Sequence, residues 1–186
     1  IYEDQNGNAV ESKDVKIEDR KVIGNGLPKH YLGWNNDFRY KNFDLSIFFQ
    51  GSYGNDIWNG VRVSHEGMES TYNQFTSTLN RWNGEGSSNT MPRAIYADPN
   101  RNNRASTRWV EDGSYLRLKN LTFGYRFTQD WLKKIGAKSL RLYLSFDNLW
   151  TLTNYSGLDP EVGLWGLDYG IYPTSRVYMF GASVKF

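Results

Sequence analysis

Leu140-Arg141-Leu142-Tyr143-Leu144-Ser145-Phe146-Asp147 carries the clearest pattern in the chain. Leu140, Leu142, Leu144 and Phe146 fall on one side of an extended backbone; Arg141, Tyr143, Ser145 and Asp147 fall on the other. A period of two marks a β-strand between two unlike surroundings. In a soluble sandwich the apolar side meets a second sheet. In a membrane barrel it meets lipid, and the polar side meets a wet lumen or a plug. Charged Arg141 and Asp147 opposite four large apolar side chains fit the barrel better.

The pattern extends in both directions. Trp34, Asn36, Phe38 and Tyr40 share a face, with Gly33, Asn35, Asp37 and Arg39 opposite. After a tight turn at Lys41-Asn42, Phe43, Leu45, Ile47 and Phe49 alternate with Asp44, Ser46, Phe48 and Gln50, which predicts a hairpin. Ser114–Phe127 reads as another strand, with Leu121, Phe123, Tyr125 and Phe127 on one face. Leu116 and Leu118 lie in the opposite phase, so the top of that strand is expected to leave the membrane and pack against loops. Thr128 is placed to cap a short helical turn over 130–135 that Gly136 would end. Val177–Phe186 is the last strand.

Between these strands the alternation lapses. Residues 1–29 read as a loop, punctuated by Gly7, Gly24, Gly26 and Pro28. In 55–112, Tyr72, Phe75, Leu79 and Trp82 recur at helical spacing and predict one short amphipathic helix, followed by a Gly/Ser/Asn/Pro-rich stretch from Asn83 to Asn103. Residues 153–174 form another loop. Connections this long argue against a compact soluble domain but are ordinary on the outer side of a membrane barrel. The turns near 41 and 128–138 are short. Assigning short turns to the periplasm and long loops to the exterior leaves the C-terminus periplasmic.

Composition narrows the class further. The 186 residues carry a net charge of +2 with basic residues scattered along the chain, so no nucleic-acid partner is indicated. There is no cysteine, which excludes disulfides, Cys-based zinc sites and thiol catalysis. The mean hydropathy is clearly polar, and no apolar run approaches the roughly 18 residues of a membrane helix. A barrel strand needs only about 9–11 residues, alternately apolar. Aromatic residues make up 16%, including seven Trp and thirteen Tyr. Aromatic girdles at the two membrane interfaces would account for them, as would a carbohydrate-binding surface. The chain opens on Ile1 with a polar run and no signal-peptide pattern, so it reads as a cut through a longer protein.

Several segments resemble the SusC/RagA-type TonB-dependent transporters, in the family's order. They are Gln50-Gly51-Ser52-Tyr53-Gly54-Asn55-Asp56-Ile57-Trp58-Asn59, Pro92-Arg93, and Asp112-Gly113-Ser114-Tyr115-Leu116-Arg117-Leu118-Lys119-Asn120-Leu121 with Gly124-Tyr125. Leu140-Arg141-Leu142-Tyr143, Asn148-Leu149, Tyr155-Ser156-Gly157-Leu158-Asp159-Pro160-Glu161 and Tyr172-Pro173 follow. The resemblance implies an all-β chain supplying about the last five strands of a 22-stranded, plugged antiparallel transmembrane barrel. By it, 1–29 is an extracellular loop, 30–54 a hairpin, 55–112 a long extracellular loop and 113–186 the last three strands. It further implies TonB-powered import of glycans or peptides and a SusD-like surface lipoprotein as lid. The plug and TonB-contacting part would lie in the missing N-terminal portion. No cofactor and no catalysis are implied.

Within that frame, Trp58, Trp82, Tyr155, Trp165 and Tyr169 are candidates to stack on sugar rings; loop packing, lid contact or the outer girdle is the alternative for each. Asp147 and Asn148, at the top of a lumen-facing strand, are candidates to hydrogen-bond substrate, or else the plug or neighbouring strands. Asp4, Asn6 and Asn8 follow the start of a calcium loop, but Ala9 stands where a glycine is needed and no closing Glu follows, so a solvated turn is the plainer reading. His30 and His65 are far apart and fit no metal pattern. Asp159 and Glu161 are the nearest thing to paired carboxylates, with no sign of a pocket to tune them. The final strand resembles the terminal strand that the barrel-assembly machinery recognises, with Gly181, Val184 and Phe186 matching and Met179 departing. The rival to all this is a soluble, secreted all-β glycan-binding module. In that case the Leu140–Phe146 face would meet protein core instead of outer-membrane lipid.

Overall fold

The structure is a computed structural model that describes every residue except Ile1 and Gln129, and Asp130 by its backbone alone. The chain begins with a small hairpin, β1 (Tyr2–Glu3) and β2 (Ala9–Val10). Next come β3 (His30–Tyr40), β4 (Phe43–Tyr53), β5 (Asp56–Asn59) and helix α1 (Gly60–Glu66). After a long stretch come β6 (Val110–Asp112), β7 (Tyr115–Phe127), α2 (Asp130–Lys134) and β8 (Ser139–Thr153). β9 (Leu167–Asp168) and β10 (Val177–Lys185) complete it. A five-stranded antiparallel sheet in the order β10-β8-β7-β4-β3 forms the body, with chain neighbours adjacent throughout. Both short connections lie at one end of this sheet and both long ones at the other.

The turn between β3 and β4 has two residues, Lys41-Asn42, with Tyr40 paired to Phe43. Lys41 takes φ 52°, the positive first dihedral of the turns whose twist suits a two-residue hairpin. At α2, Gly136 adopts φ 73° and donates to the Lys133 carbonyl, ending the turn as expected. The start of that turn adjoins Gln129, so the expected cap at Thr128 lies against residues outside those described.

The register assembles one apolar face across all five strands. Phe38, Leu45, Phe123, Leu144 and Phe180 form a row of cross-strand partners, and Tyr40, Phe43, Tyr125, Leu142 and Ala182 form the next. Leu116 and Leu118 correct the sequence reading. A β-bulge at Lys119 shifts the register of β7 against both neighbours, opposite the unpaired Asn148-Leu149 of β8. One extra residue inverts the side-chain phase, so Leu118 pairs with Phe49 and Trp150 on the face that Leu121 also occupies. The strand does not turn away from that face; the bulge restores it.

Nothing covers this face among the described residues. Phe38 is 56% exposed, Phe180 71% and Leu152 58%. A soluble sandwich would bury these side chains against a second sheet, and no such sheet lies over them among the described residues. Leu140 to Leu152 spans roughly 40 Å of strand at 3.3–3.4 Å per residue, and about 30 Å of height at a tilt near 40°. That matches the hydrocarbon layer. Aromatic contacts cluster toward the short-turn end, where Phe43 lies 4.7 Å from Tyr125 and Tyr125 lies 4.6 Å from Phe127 between ring centroids. Trp34 stacks on Phe49 nearer the other end, at 5.8 Å.

The opposite face is polar and internally bonded. Arg141 donates to both oxygens of Asp44 and lies over the Tyr143 ring at 4.9 Å. Asn120 donates to Asp147 (2.7 Å) and Ser145 (3.2 Å), and the Ser145 and Thr122 hydroxyls meet at 2.8 Å. Gly181 sits beneath the Tyr143 ring, where a Cβ would collide.

The long connections are ordered. β5 pairs antiparallel with β6 and parallel with β9, giving a three-stranded sheet above the wall that the sequence did not predict. The expected helix over Tyr72, Phe75, Leu79 and Trp82 is absent. Only Thr76–Asn80 is helical there, as a short 3-10 turn, and Tyr72 and Leu79 are exposed. Thr78 turns its hydroxyl onto the Phe75 carbonyl and Ser77 onto Glu66, local bonds that compete with an α-helix. The α-helix forms instead at α1, where the Asn59 side chain accepts from the Arg62 N–H and Arg62 pairs with Glu66 one turn on.

Candidate functional site

The loops are fixed to the wall through Arg117, at the top of β7 and 3% exposed. Its guanidinium donates to Asp159 (2.5 Å), Glu161 (2.7 Å), Thr151 (2.9 Å) and Thr174 (3.2 Å). Asp159 also accepts the backbone N–H groups of Glu161 and Thr174. Gln50 of β4 donates to the other Glu161 oxygen at 3.2 Å. Burial by itself would raise the Asp159 pKa. Arg117 and the two N–H donors outweigh it and hold the carboxyl down, at about 2. The expectation of an untuned carboxylate is therefore corrected at Asp159, which Arg117 holds down; Glu161 joins the same knot through Arg117 and Lys119. Three segments of the sequence resemblance, around Gln50, Arg117 and Asp159, meet at this one knot.

A second knot orders the 55–112 connection. Glu111 accepts from Arg62 (2.9 Å), from Asn59 (3.1 Å) and from both the N–H and hydroxyl of Ser156 (2.9 Å each). Burial opposes its charge, and these donors nonetheless hold its pKa below the usual range. Trp109 is fully buried, with the Arg108 guanidinium 4.3 Å from its ring centroid.

The candidate residues divide accordingly. Tyr155 packs with Ile57 and Val162, and its hydroxyl donates to Asp168 at 2.6 Å. Burial first, then that carboxylate, raises its pKa. Its ring belongs to the loop core and offers no face for stacking. Trp58 is half-buried in β5, while Trp165 and Tyr169 are exposed at 86% and 72%. In the same loop, Leu158, Leu164 and Tyr172 are exposed as well. Asp147 is engaged by Asn120, and Asn148, at φ 52° in the bulge, donates to the Ser175 carbonyl. Asp4 accepts from the N–H groups of Asn6 and Asn8 and from the Asn8 amide, so it anchors a turn between β1 and β2. His30 and His65 stack on Tyr53 and Phe75 respectively. Val184 and Phe186 are exposed on the apolar side of the last strand.

Sequence reasoning missed Arg117 as the organising side chain. The signal was present: an arginine on a wall strand demands an acidic partner, and Asp159-Pro160-Glu161 is an acid pair in an adjacent loop. It also missed an open cleft between the N-terminal segment and residues 82–108, about 1440 Å³ in volume.

No protein-family model matches the chain. The TonB-dependent receptor P3 of Formosa agariphila is 38% identical over 197 residues, covering 100% of this chain and 19% of that protein. The TonB-dependent receptor P26 of the same organism is 31% identical, with the same coverage. The TonB-dependent receptor SusC of Bacteroides thetaiotaomicron is 28% identical over 100% of this chain and 17% of its own length. Among solved structures, the RagAB peptide importer in its closed-closed state superposes with a TM-score of 0.81 at 24% identity, over 99% of this chain and 20% of that one. A RagAB peptide transporter structure gives 0.72 at 27% identity, over 83% and 17%. The chain thus spans about a fifth of the length of the relatives it matches. An apolar face uncovered among the described residues, a bonded polar face and loops gathered at one end make the chain a stretch of barrel wall with its loops, similar along its whole length to the TonB-dependent receptors of SusC and RagA type.

Proposed function

We propose that the chain is part of an outer-membrane transporter that imports glycans or other oligomeric nutrients, energised through TonB and working with a SusD-like surface lipoprotein. The observation that carries this reading is the five-stranded sheet with an apolar face that no other element covers among the described residues. A face of this extent backed by a polar one is the pattern of a barrel wall that meets lipid. The wall does no chemistry in this reading; its loops receive and pass substrate. The long-loop end, with the 55–112 connection and the 154–176 loop, faces outward. The short turns and the C-terminus face the periplasm.

Trp58, Trp165 and Tyr169 then lie where substrate or the lid arrives, and the exposed apolar side chains of 158–172 suit contact with the lid lipoprotein. Asp147 and Asn148 serve the wall first, through bonds they already make. Gly181, Val184 and Phe186 act during assembly, when the unpaired edge of β10 is presented to the barrel-assembly machinery.

The test uses the full-length protein in its native cell. Uptake of a labelled oligosaccharide or peptide should require both the protein and TonB, and should stop when either gene is deleted. A cysteine replacing Glu85 should react with an impermeant reagent on intact cells. Uptake that persists without TonB would overturn the transport reading. Labelling only after the outer membrane is opened would reverse the orientation.

A further inference from the structure

The cleft between the N-terminal segment and residues 82–108 is left unexplained by the loop framework. At about 1440 Å³ it exceeds the roughly 300–1,000 Å³ of a small-molecule pocket and is open along one side. Its lining is cationic. Three of its basic side chains are spent on structure: Lys21 pairs with Glu3, Arg104 donates to the Ser12 and Val15 carbonyls, and Arg108 lies on Trp109. Four others, Lys16 and Arg20 from the N-terminal segment and Arg93 and Arg101 from the opposite stretch, are exposed. None of these four is ion-paired among the described residues. The two carboxylates in the lining are already engaged, Glu3 by Lys21 and Asp19 by the N–H groups of Gln5 and Lys16. The Trp82 ring borders the same space, with the Arg93 guanidinium 5.9 Å from its centroid.

Like charges around one open volume repel, and the potential there favours only a ligand that brings several negative charges. Arginine forks match carboxylate and sulfate oxygens in pairs. A tryptophan beside them offers its face to the C–H side of a sugar ring. We infer that the cleft is a binding subsite for an anionic oligosaccharide, whose carboxylate or sulfate groups pair with Lys16, Arg20, Arg93 and Arg101 while one ring packs on Trp82. The inference deepens the uptake reading by naming a substrate class, and it rests on that reading for its biological role.

Binding is measured by titration calorimetry on the full-length protein in detergent, so transport is not needed for the result. The probes are an oligogalacturonate, its fully methyl-esterified form, a chondroitin sulfate oligosaccharide and polyglutamate. At least one of the two anionic glycans should bind, and which one does distinguishes carboxylate from sulfate recognition. Methyl esterification, which removes the charge and keeps the sugar, should weaken any oligogalacturonate binding by at least about tenfold. Arg20→Glu and Arg93→Glu should each weaken binding of the better glycan by about tenfold, with affinity falling as salt rises. Both side chains are exposed, with Arg93 resting against the Trp82 ring, and an unchanged melting temperature verifies that the variants fold. Trp82→Ala should weaken the glycan more than polyglutamate. Three results would each overturn the inference: neither anionic glycan binds, the charge reversals leave affinity unchanged, or polyglutamate binds as tightly as the better glycan. Retained binding with no TonB-dependent uptake would count against the transport reading alone.

Discussion

Replacing Arg117 by Met keeps most of the side chain's volume and removes its charge and all four of its hydrogen bonds. Asp159, 7% exposed, is then left as a buried carboxylate without its cation, held by the backbone N–H groups of Glu161 and Thr174. Two routes bound the cost. The carboxyl is lowered from 3.8 to about 2, which by linkage corresponds to about 2 kcal/mol of stabilisation at neutral pH. Breaking a buried ion pair from one side costs about 3–5 kcal/mol, because the remaining charge is uncompensated. The expected loss is therefore between these figures, concentrated in the 154–176 loop. Hydrogen exchange on the full-length protein in detergent is the assay, read at the amides of Glu161 and Thr174. Their exchange should accelerate by at least about thirtyfold. Adding Asp159→Asn to Arg117→Met should recover part of the loss, since the orphaned charge is gone. The sign with pH follows from the lowered carboxyl. Its contribution is complete above about pH 4 and is lost only as pH falls toward 2, so the loop should stay clamped from pH 5 to 8. Exchange at these two amides within about threefold of wild type in a folded Arg117→Met protein would refute the clamp.

Other outcomes test the wall and its last strand. Leu144→Arg places a charge mid-way along the apolar face and should cost about 2–4 kcal/mol in a bilayer folding titration; a negligible cost would mean that this face does not meet lipid. Gly181→Val drives a side chain into the Tyr143 ring and should lower the heat needed to unfold the barrel on a semi-native gel, whereas an unchanged transition would show that Tyr143 moves aside freely. Deleting Phe186 should reduce the amount of barrel assembled at native expression, with the unassembled chain degraded; full assembly would limit Phe186 to anchoring the strand at the interface.

The strands, their faces and their grouping were legible in the sequence because each rests on a local signal. A period of two is set by the extended backbone itself, and Lys41-Asn42 needed only room for a two-residue turn. Leu140–Phe146 could be assigned to lipid because Arg141 and Asp147 stand opposite, a relation within one strand. The resemblance, spread over many short segments, fixed the kind of protein without any distance. Tertiary structure decided what depends on residues far apart. The phase of Leu116 and Leu118 hung on a bulge that only pairing with β4 and β8 reveals. Helical spacing at Tyr72–Trp82 gave way to hydroxyl bonds with Glu66 and Phe75. Tyr155 passed from candidate contact to core because Asp168 and Ile57 close around it. Arg117 and Asp159 are 42 positions apart, and their charges find each other only when β7 and the last long loop share one end of the sheet. Local pattern can report a backbone's preference and a residue's chemistry. Which charges are paired is settled only when the chain has folded and the nearer partners are taken.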